Sequence, residues 1–510
     1  MHNILKIIFG RVLFTVLCLL LELAYILNLI FRLNEYSIVF SALITILSIV
    51  VVVRINARSE FSAARLTWTI IILSIPAFGL PLYLMFGRNG ITAGTRKKYD
   101  KVNRRFITSL ILDVTVKNDL YEKNIFIHNQ THYIQTASTF PVYRNTDVQY
   151  FADTGDALEA MLEDMRGAKE FIFLEYFAVE DSDAFHRVEE VLLQKVSEGV
   201  EIRFIYDDFG SIAFVKPQFA KRLNDQGIKC RIFNPLVPVL YSFMNHRDHR
   251  KFTIIDNKVS YCGGYNLADE YFNLVHPYGQ WKDSGIRLEG DAVRSYTVMF
   301  LQMWNCINSS DMEFDRYLTP YKSFCSKENG YVQPYSDSPL DQVTIGENVY
   351  MNILKNARRY VYITTPYLII DNEMEKELCM AAQRGIDVRI ITPNIPDKKM
   401  VFLTTQSYYA SLIRAGVRIY QYTPGFIHAK NYVCDDEIAV VGTINMDYRS
   451  LYLHFECATY IYDCQAVMDV KTDFEDTLIV SHEVELEYCA HRNLFIRWFQ
   501  AALRLIAPML

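Results

Sequence analysis

Three nearly unbroken apolar stretches open the chain, Val12 to Phe31, Tyr36 to Val53 and Trp68 to Phe86. Each is long enough, or nearly so, to cross a hydrocarbon core of about 30 Å at about 1.5 Å per helical residue. The first is too long for a simple signal peptide and lacks a small-residue cleavage site, so it reads as a retained anchor. The third carries Pro76, Gly79 and Pro81 in its middle, which break a straight helix and suit a re-entrant or interfacial hairpin. Lys6 and Arg11 precede the first stretch, Arg54, Arg58 and Arg65 follow the second, and Arg88, Arg96, Lys97, Lys98, Lys101, Arg104 and Arg105 follow the third. If the first two stretches cross and the third does not, each of these basic clusters is cytoplasmic and the short Arg32 to Glu35 turn is the external loop. Residues 1–90 are therefore expected to form a membrane anchor of two spans plus one partial, with a kinked third span as the alternative. Residues 91–139 read as a basic linker. Glu22, inside the first stretch, is given no role.

From about Phe140 the pattern changes to strand-like runs alternating with helical periods, the signature of a layered α/β fold. It occurs twice. Phe171 to Phe177 predicts a strand, Asp183 to Gly199 a helix and Val200 to Tyr206 the next strand; Tyr360 to Pro366, Glu373 to Gly385 and Ile386 to Ile391 repeat the series. Duplication of a whole unit follows. Turn-forming clusters between Ser309 and Gln342 mark the boundary, giving a first domain over 140–308, an inter-domain loop over 309–342 and a second domain over 343–510.

Charge changes the picture by exclusion. The formal net charge is −6, from 52 basic and 58 acidic residues, which is not the balance of a nucleic-acid binder. The ten cysteines are scattered from Cys18 to Cys489 with no C-x-x-C pair, so neither a disulfide framework nor a zinc site is expected. Reduced thiols suit a cytoplasmic location for the bulk of the chain.

The chemistry lies at the end of each copy. The first reads His249-Arg-Lys251, then Asp256, Gly263-Gly264 and Asn266; the second reads His428-Ala-Lys430, then Asp435, Gly442-Thr443 and Asn445. His to Asn spans 17 positions in both. On a strand, residues two apart share a face, so each His and Lys point together into a site, while Asp256 and Asp435 face away and brace the scaffold. The small residues permit a tight return, letting Asn266 and Asn445 reach back with amide donors. Two His and two Lys converging make a phosphate site. The lysines and asparagines hold non-bridging oxygens, while one imidazole attacks phosphorus and the other protonates the leaving oxygen. No metal or cofactor is expected. Asp283 and Glu456, each about thirty residues beyond the His of its own copy, are the candidates for holding an imidazole in one tautomer. His246, outside the repeated block, reads as an ordinary core or surface histidine.

At these residues the chain resembles the phospholipase D superfamily, whose paired H-x-K-x4-D motifs build one active site between two similar domains. The resemblance places His249, Lys251, Asp256, His428, Lys430 and Asp435 in the catalytic motifs, implies a phosphohistidine intermediate, and favours His249 as nucleophile with His428 as acid and base. A narrower resemblance, to bacterial cardiolipin synthases, rests on Trp68 to Gly87, Asn245 to Lys251, Trp281-Lys-Asp283, Thr365-Pro-Tyr367, Asn445 to Ser450 and Arg504 to Leu510. It implies that two phosphatidylglycerols become cardiolipin and glycerol, in the bacterial cell membrane, with the catalytic part cytoplasmic. The chain departs from that pattern at Gly442-Thr443, where Gly-Ser is common, and at His454, where Asn is usual. Rival readings are a phospholipase using water, a phosphatidyltransferase with another acceptor, a membrane-bound nuclease and an inactive scaffold. Intact His–Lys pairs in both copies oppose the last.

Overall fold

The computed structural model describes residues 17, 20–21, 23–32, 38–57, 62–87, 93–110, 112–236, 245–308, 314–321, 324–340, 343–487 and 492–509. Glu22, Lys6, Arg11, Arg58, Arg88 and much of the first apolar stretch lie outside them.

The strand-forming runs build two mixed sheets. The first contains β1 (Thr146–Phe151), β2 (Phe171–Tyr176), β3 (Glu201–Asp207), β4 (Lys229–Phe233), β5 (Lys251–Ile255), β6 (Val259–Gly263) and β7 (Gly285–Gly290), in the order β1-β7-β6-β5-β2-β3-β4. The second contains β8 (Tyr331–Asp337), β9 (Tyr360–Thr364), β10 (Asp387–Pro393), β11 (Arg418–Tyr422), β12 (Asn431–Cys434), β13 (Ile438–Gly442), β14 (His454–Tyr462) and β15 (Ser481–Glu483). Its order is β8-β14-β13-β12-β9-β10-β11-β15. Apart from the added edge strand β15, the sheets match strand for strand, including parallel pairing of β2 with β3 and of β3 with β4, and of β9 with β10 and of β10 with β11.

Helices Thr154–Gly167 and Asp183–Ser197 cover the first sheet through Leu158, Met161, Phe185 and Leu192. Helices Ile345–Asn356, Asn372–Gln383 and Lys399–Ala415 cover the second. A third core joins the copies: Phe173, Ile254 and Ile286 from one sheet, Val433, Val441 and Ile461 from the other, and side chains of helices Val293–Ile307 and Gln465–Ile479. The Cys262 and Cys457 thiols meet there with sulfurs 3.8 Å apart.

Two parts of the chain differ from expectation. Residues expected as a basic linker form helices Ala93–Ile107, Val114–Lys123 and Ile125–Ser138. The charges of the first helix lie outward while Tyr99, Val102 and Phe106 enter the shared core, and the third packs beside helix Ile345–Asn356. The expected inter-domain loop contains a 3-10 turn, Asp315–Leu318, and then β8, so the second sheet begins at Tyr331.

At the apolar end, helix Ile38–Asn56 is long and apolar enough to cross a membrane, with most of its surface exposed. Beyond it, helix Ser62–Ser74 breaks at Ile75 and helix Pro76–Leu82 follows, ending in a π turn, Tyr83–Gly87. The two short helices pack closely because Gly79 has no side chain: a Cβ there would lie 2.3 Å from the Ile71 carbonyl oxygen. Trp68, Ile72 and Tyr83 pack with Ile55 and with Met509 from the far end of the chain.

Candidate active site

The repeated blocks are joined at the boundary between the copies by two matching short pairings. Arg247–Asp248 runs parallel to the start of β14, with Arg247 opposite His454 and Asp248 opposite Phe455. Gly425–Ile427 runs parallel to Gln280–Lys282. Each places a histidine backbone N–H on the other copy: His249 donates to the Phe455 carbonyl at 2.9 Å and His428 to the Lys282 carbonyl at 2.7 Å.

The side chains cross over in the same way. His249 Nδ1 lies 2.8 Å from Glu456 Oε1, and His428 Nδ1 lies 2.7 Å from Asp283 Oδ2. Both candidate carboxylates therefore hold an imidazole, but each holds that of the other copy. With Nδ1–H directed to a carboxylate, Nε2 is the nitrogen left for chemistry. The Thr443 hydroxyl donates to the second Glu456 oxygen. In the first copy the equivalent position is Gly264, where a Cβ would lie 2.1 Å from Asp283 Oδ1. Gly263 and Gly442 serve the same closeness, since a Cβ would meet the Ser284 carbonyl at 2.4 Å or the Ala458 Cα at 2.5 Å. These residues let the carboxylate-bearing chain press against the motif.

Both lysines turn back on their own histidines: Lys251 Nζ donates to the His249 carbonyl at 2.5 Å, and Lys430 Nζ donates to the His428 carbonyl. Aromatic rings wall the site, with Phe177 4.8 Å from the His249 ring, and Tyr271 and Trp281 5.4 and 5.3 Å from the His428 ring. Burial, with repulsion from Lys251, His454, Lys430 and His428, holds the His249 imidazole well below the usual histidine range. Burial and Lys430 lower His428 to about 4, against the pull of Asp283. Burial also lowers Lys251 to about 8 and Lys430 to about 7. Burial pushes Asp283 up, but His428 and Lys430 outweigh it and hold that carboxyl below its usual range. Glu456 is driven upward by burial, against the pull of Lys251 and the Thr443 hydroxyl. Cations of each copy act on the histidine of the other, which places both His–Lys pairs around one site. An anionic phosphate bound there would draw the lysines and one imidazole back to their charged forms.

The remaining motif residues divide. Asp256 accepts the backbone N–H groups of Lys169, Glu170 and Phe171 at 2.8 to 2.9 Å, and Asp435 those of Arg358, Arg359 and Tyr360 at 2.7 to 3.0 Å. Both sit in the left-handed region, at φ 54° and 56°, in the turns after β5 and β12. They pin the strand entering beside the motif and touch none of the four His and Lys side chains. Asn266 spends its amide on the Ala178 N–H and the Tyr271 hydroxyl, whereas Asn445 keeps a buried Oδ1 with no protein partner. His246 is buried and donates through Nδ1 to the Leu453 carbonyl, a structural tie between the copies.

His454 is the residue whose place the repeat could not foretell. Its ring lies 5.5 Å from that of His249, and its Nδ1 is 3.8 Å from the Glu456 oxygen that His249 binds. Both ring nitrogens are buried without a hydrogen-bond partner. Among the described residues, His249, His454 and Glu456 bring metal-ligating atoms within 4.8 Å of one another. A cation there would compete with the proton that joins His249 to Glu456.

A duplicated α/β unit with one His–Lys pair per copy and crossed carboxylates defines a phospholipase D-like site. The fold agrees: a phosphatidylserine synthase from Haemophilus influenzae superposes with a TM-score of 0.56 over 75% of this chain and 100% of that one, at 13% identity. The family described as cardiolipin synthase, PLD-like domain, matches residues 161–304 and 350–478, and the phospholipase D-nuclease N-terminal family matches residues 43–88. A cardiolipin synthase from Halalkalibacterium halodurans is 31% identical over 92% of this chain and 94% of its own length. One from Oceanobacillus iheyensis is 34% identical over 87% and 93%. An uncharacterized protein from Streptococcus mutans is 44% identical over 89% and 98%. The chain belongs to the cardiolipin synthase family of phospholipase D-like enzymes.

Proposed function

We propose that this protein is a membrane-anchored cardiolipin synthase that joins two phosphatidylglycerols and releases glycerol. The observation that carries the chemistry is the reciprocal pairing of His249 with Glu456 and of His428 with Asp283, which engages each Nδ1 and leaves each Nε2 for reaction. His249 Nε2 attacks the phosphorus of one phosphatidylglycerol. The bond from phosphorus to the glycerol oxygen breaks, and His428 gives that oxygen a proton. The phosphatidyl group is then carried on His249. His428, now neutral, takes the proton from a terminal hydroxyl of the second phosphatidylglycerol, whose oxygen attacks phosphorus as the P–N bond breaks. Lys251 and Lys430 neutralise the equatorial oxygens in both steps. Each imidazole does in the second step the reverse of what it did in the first.

Helix Ile38–Asn56 and the stretch before it are read as the two spans, with the hairpin over 62–87 as a partial insertion and the catalytic copies on the cytoplasmic side. The positive charge at Arg96 to Arg105 suits an anionic lipid surface.

The test is a lipid product assay in mixed micelles of labelled phosphatidylglycerol, run beside His249→Ala and His428→Ala. Cardiolipin plus free glycerol from the parent, with either variant reduced by about 10³-fold or more, is the expected result. Phosphatidic acid as the main product at high phosphatidylglycerol would refute the synthase reading.

A further inference from the structure

The helix Leu494–Ile506 is amphipathic in the sense opposite to that of a helix bathed in water. Two of its three polar side chains turn inward, Arg497 staying exposed: Gln500 donates to the Leu403 carbonyl at 3.1 Å, and Arg504 pairs with Glu375 at 2.7 Å while lying 4.1 Å from the centre of the Tyr408 ring. Its large apolar residues turn outward, with Leu494 70%, Phe495 76% and Trp498 79% exposed and Leu505 in the same row. At 100° per residue, positions 494, 498, 502 and 505 fall on one side and 500, 503, 504 and 507 on the other. A row of Leu, Phe and Trp directed away from the protein is unfavourable in water, but it is the arrangement of a helix lying in a lipid interface.

What covers this face is indicated by its neighbours. The Thr67 hydroxyl of helix Ser62–Ser74 donates to the Leu505 carbonyl at 2.5 Å, and Met509 packs into the apolar cluster at the inner end of helix Ile38–Asn56. Helix Ser62–Ser74 itself exposes Leu66, Ile70 and Leu73. The C-terminal face thus continues the apolar surface of the segments that enter the membrane. We infer that helix Leu494–Ile506 lies in the bilayer interface, with Leu494, Phe495 and Trp498 among the upper acyl chains, as a second attachment of the catalytic copies to lipid. The inference rests on the membrane reading of helix Ile38–Asn56. It reaches the active site, because the closing turn Ala507–Met509 packs on helix Tyr448–Tyr452, which leads directly into His454 and Glu456.

Trp498 is a built-in probe, since the other three tryptophans, Trp68, Trp281 and Trp304, are at most 8% exposed. The full chain and its Trp498→Phe variant would be reconstituted in phosphatidylglycerol–phosphatidylcholine vesicles, and the difference in emission assigned to Trp498. The expected result is a blue-shifted difference spectrum quenched by lipids brominated near the glycerol backbone more than by lipids brominated near the chain ends. Quenching by aqueous iodide with no effect of brominated lipid would overturn the inference, as would protection from both, which would mean a protein covers the face. Flotation of the same samples separates the two readings: protein that fails to float refutes membrane attachment altogether, whereas floating protein with water-exposed Trp498 refutes only the helix. A Phe495→Asp, Trp498→Asp variant, far from the catalytic residues, should need several-fold more vesicles for half-maximal rate. Its rate on dispersed short-chain phosphatidylglycerol should be unchanged, and an equal loss on both substrates would count against an interfacial role.

Discussion

Under the proposed mechanism, a single oxygen of Asp283 or of Glu456 decides which nitrogen of an imidazole reacts. Replacing Asp283 by Asn or Glu456 by Gln keeps the volume but removes the charge that fixes Nδ1–H, so kcat should fall by about 10²- to 10⁴-fold with little change in KM. Steady-state kinetics at saturating lipid would show it, and a loss confined to KM would contradict the role. The buried charges set the pH response. His246, His249, His428 and His454 are all held below the ordinary histidine value, chiefly by burial. The unfolded chain takes up protons at these residues near pH 6.5 and the folded chain does not, so the unfolded state binds more protons and stability falls as pH drops below that value. Buried carboxyls such as Asp207, raised to about 7 by burial, act in the opposite sense, so the check is a comparison: between about pH 7.5 and 5 the histidine-linked loss of stability, read by thermal unfolding in detergent, should be smaller in a His246→Gln variant than in the parent. On the alkaline side, Lys430 at about 7 and Lys251 at about 8 lose charge first in the empty site. The free-enzyme kcat/KM should therefore fall as pH rises through 7 to 8, while kcat, governed by the lipid-bound enzyme, falls at higher pH.

On the scale of elements, the turns after β5 and β12 join the motif to the sheet. Asp256→Ala would leave three N–H groups without their acceptor and an alanine at φ 54°, a loss of about 3 kcal/mol or more. Unfolding should register it, while the specific activity of the folded fraction stays near that of the parent. Gly264→Ala is expected to displace Asp283 and cost activity first. Much of this was legible in advance: strand-like runs marked β2, β3, β9 and β10, and the 17-residue block, repeated in register, marked both His–Lys pairs, although it did not foretell that Asn266 is held by the Ala178 N–H and the Tyr271 hydroxyl. The helix Ala93–Ile107 was not, because its six basic residues from Arg96 to Arg105 mask an apolar row of Tyr99, Val102 and Phe106 at helical spacing. Strand β8 was hidden by flanking turn residues and by Pro334, tolerated because β8 is an edge strand. Nor could spacing reveal that each carboxylate serves the other histidine, since separation along the chain carries no information about which copy a side chain faces.

On the scale of the whole molecule, the copies share a core and exchange carboxylates, and the proposed mechanism makes them one catalytic unit. Phe455, 4% exposed, follows His454 in β14, stacks on Tyr99 at 5.7 Å and meets Phe233 at 5.6 Å. Phe455→Ala should cost about 3–5 kcal/mol of stability. It should also lower both half-reactions together, so that exchange of labelled glycerol into phosphatidylglycerol and formation of cardiolipin decline in the same proportion. An unequal decline would show that the two histidines are positioned independently.

The crossing of carboxylates also orders events in time. Glu456 is translated 207 residues after His249, on the order of 10 to 40 s later at ribosomal speeds. By then the apolar N-terminal helices have emerged and the first copy already lies beside phospholipid. Were each carboxylate in the same copy as the histidine it holds, the His249–Lys251 pair would be oriented before His428 was made. Under the proposed mechanism, His249 gains its carboxylate, its acid partner His428 and Lys430 together, so the growing chain is chemically silent until the second copy has folded against the first.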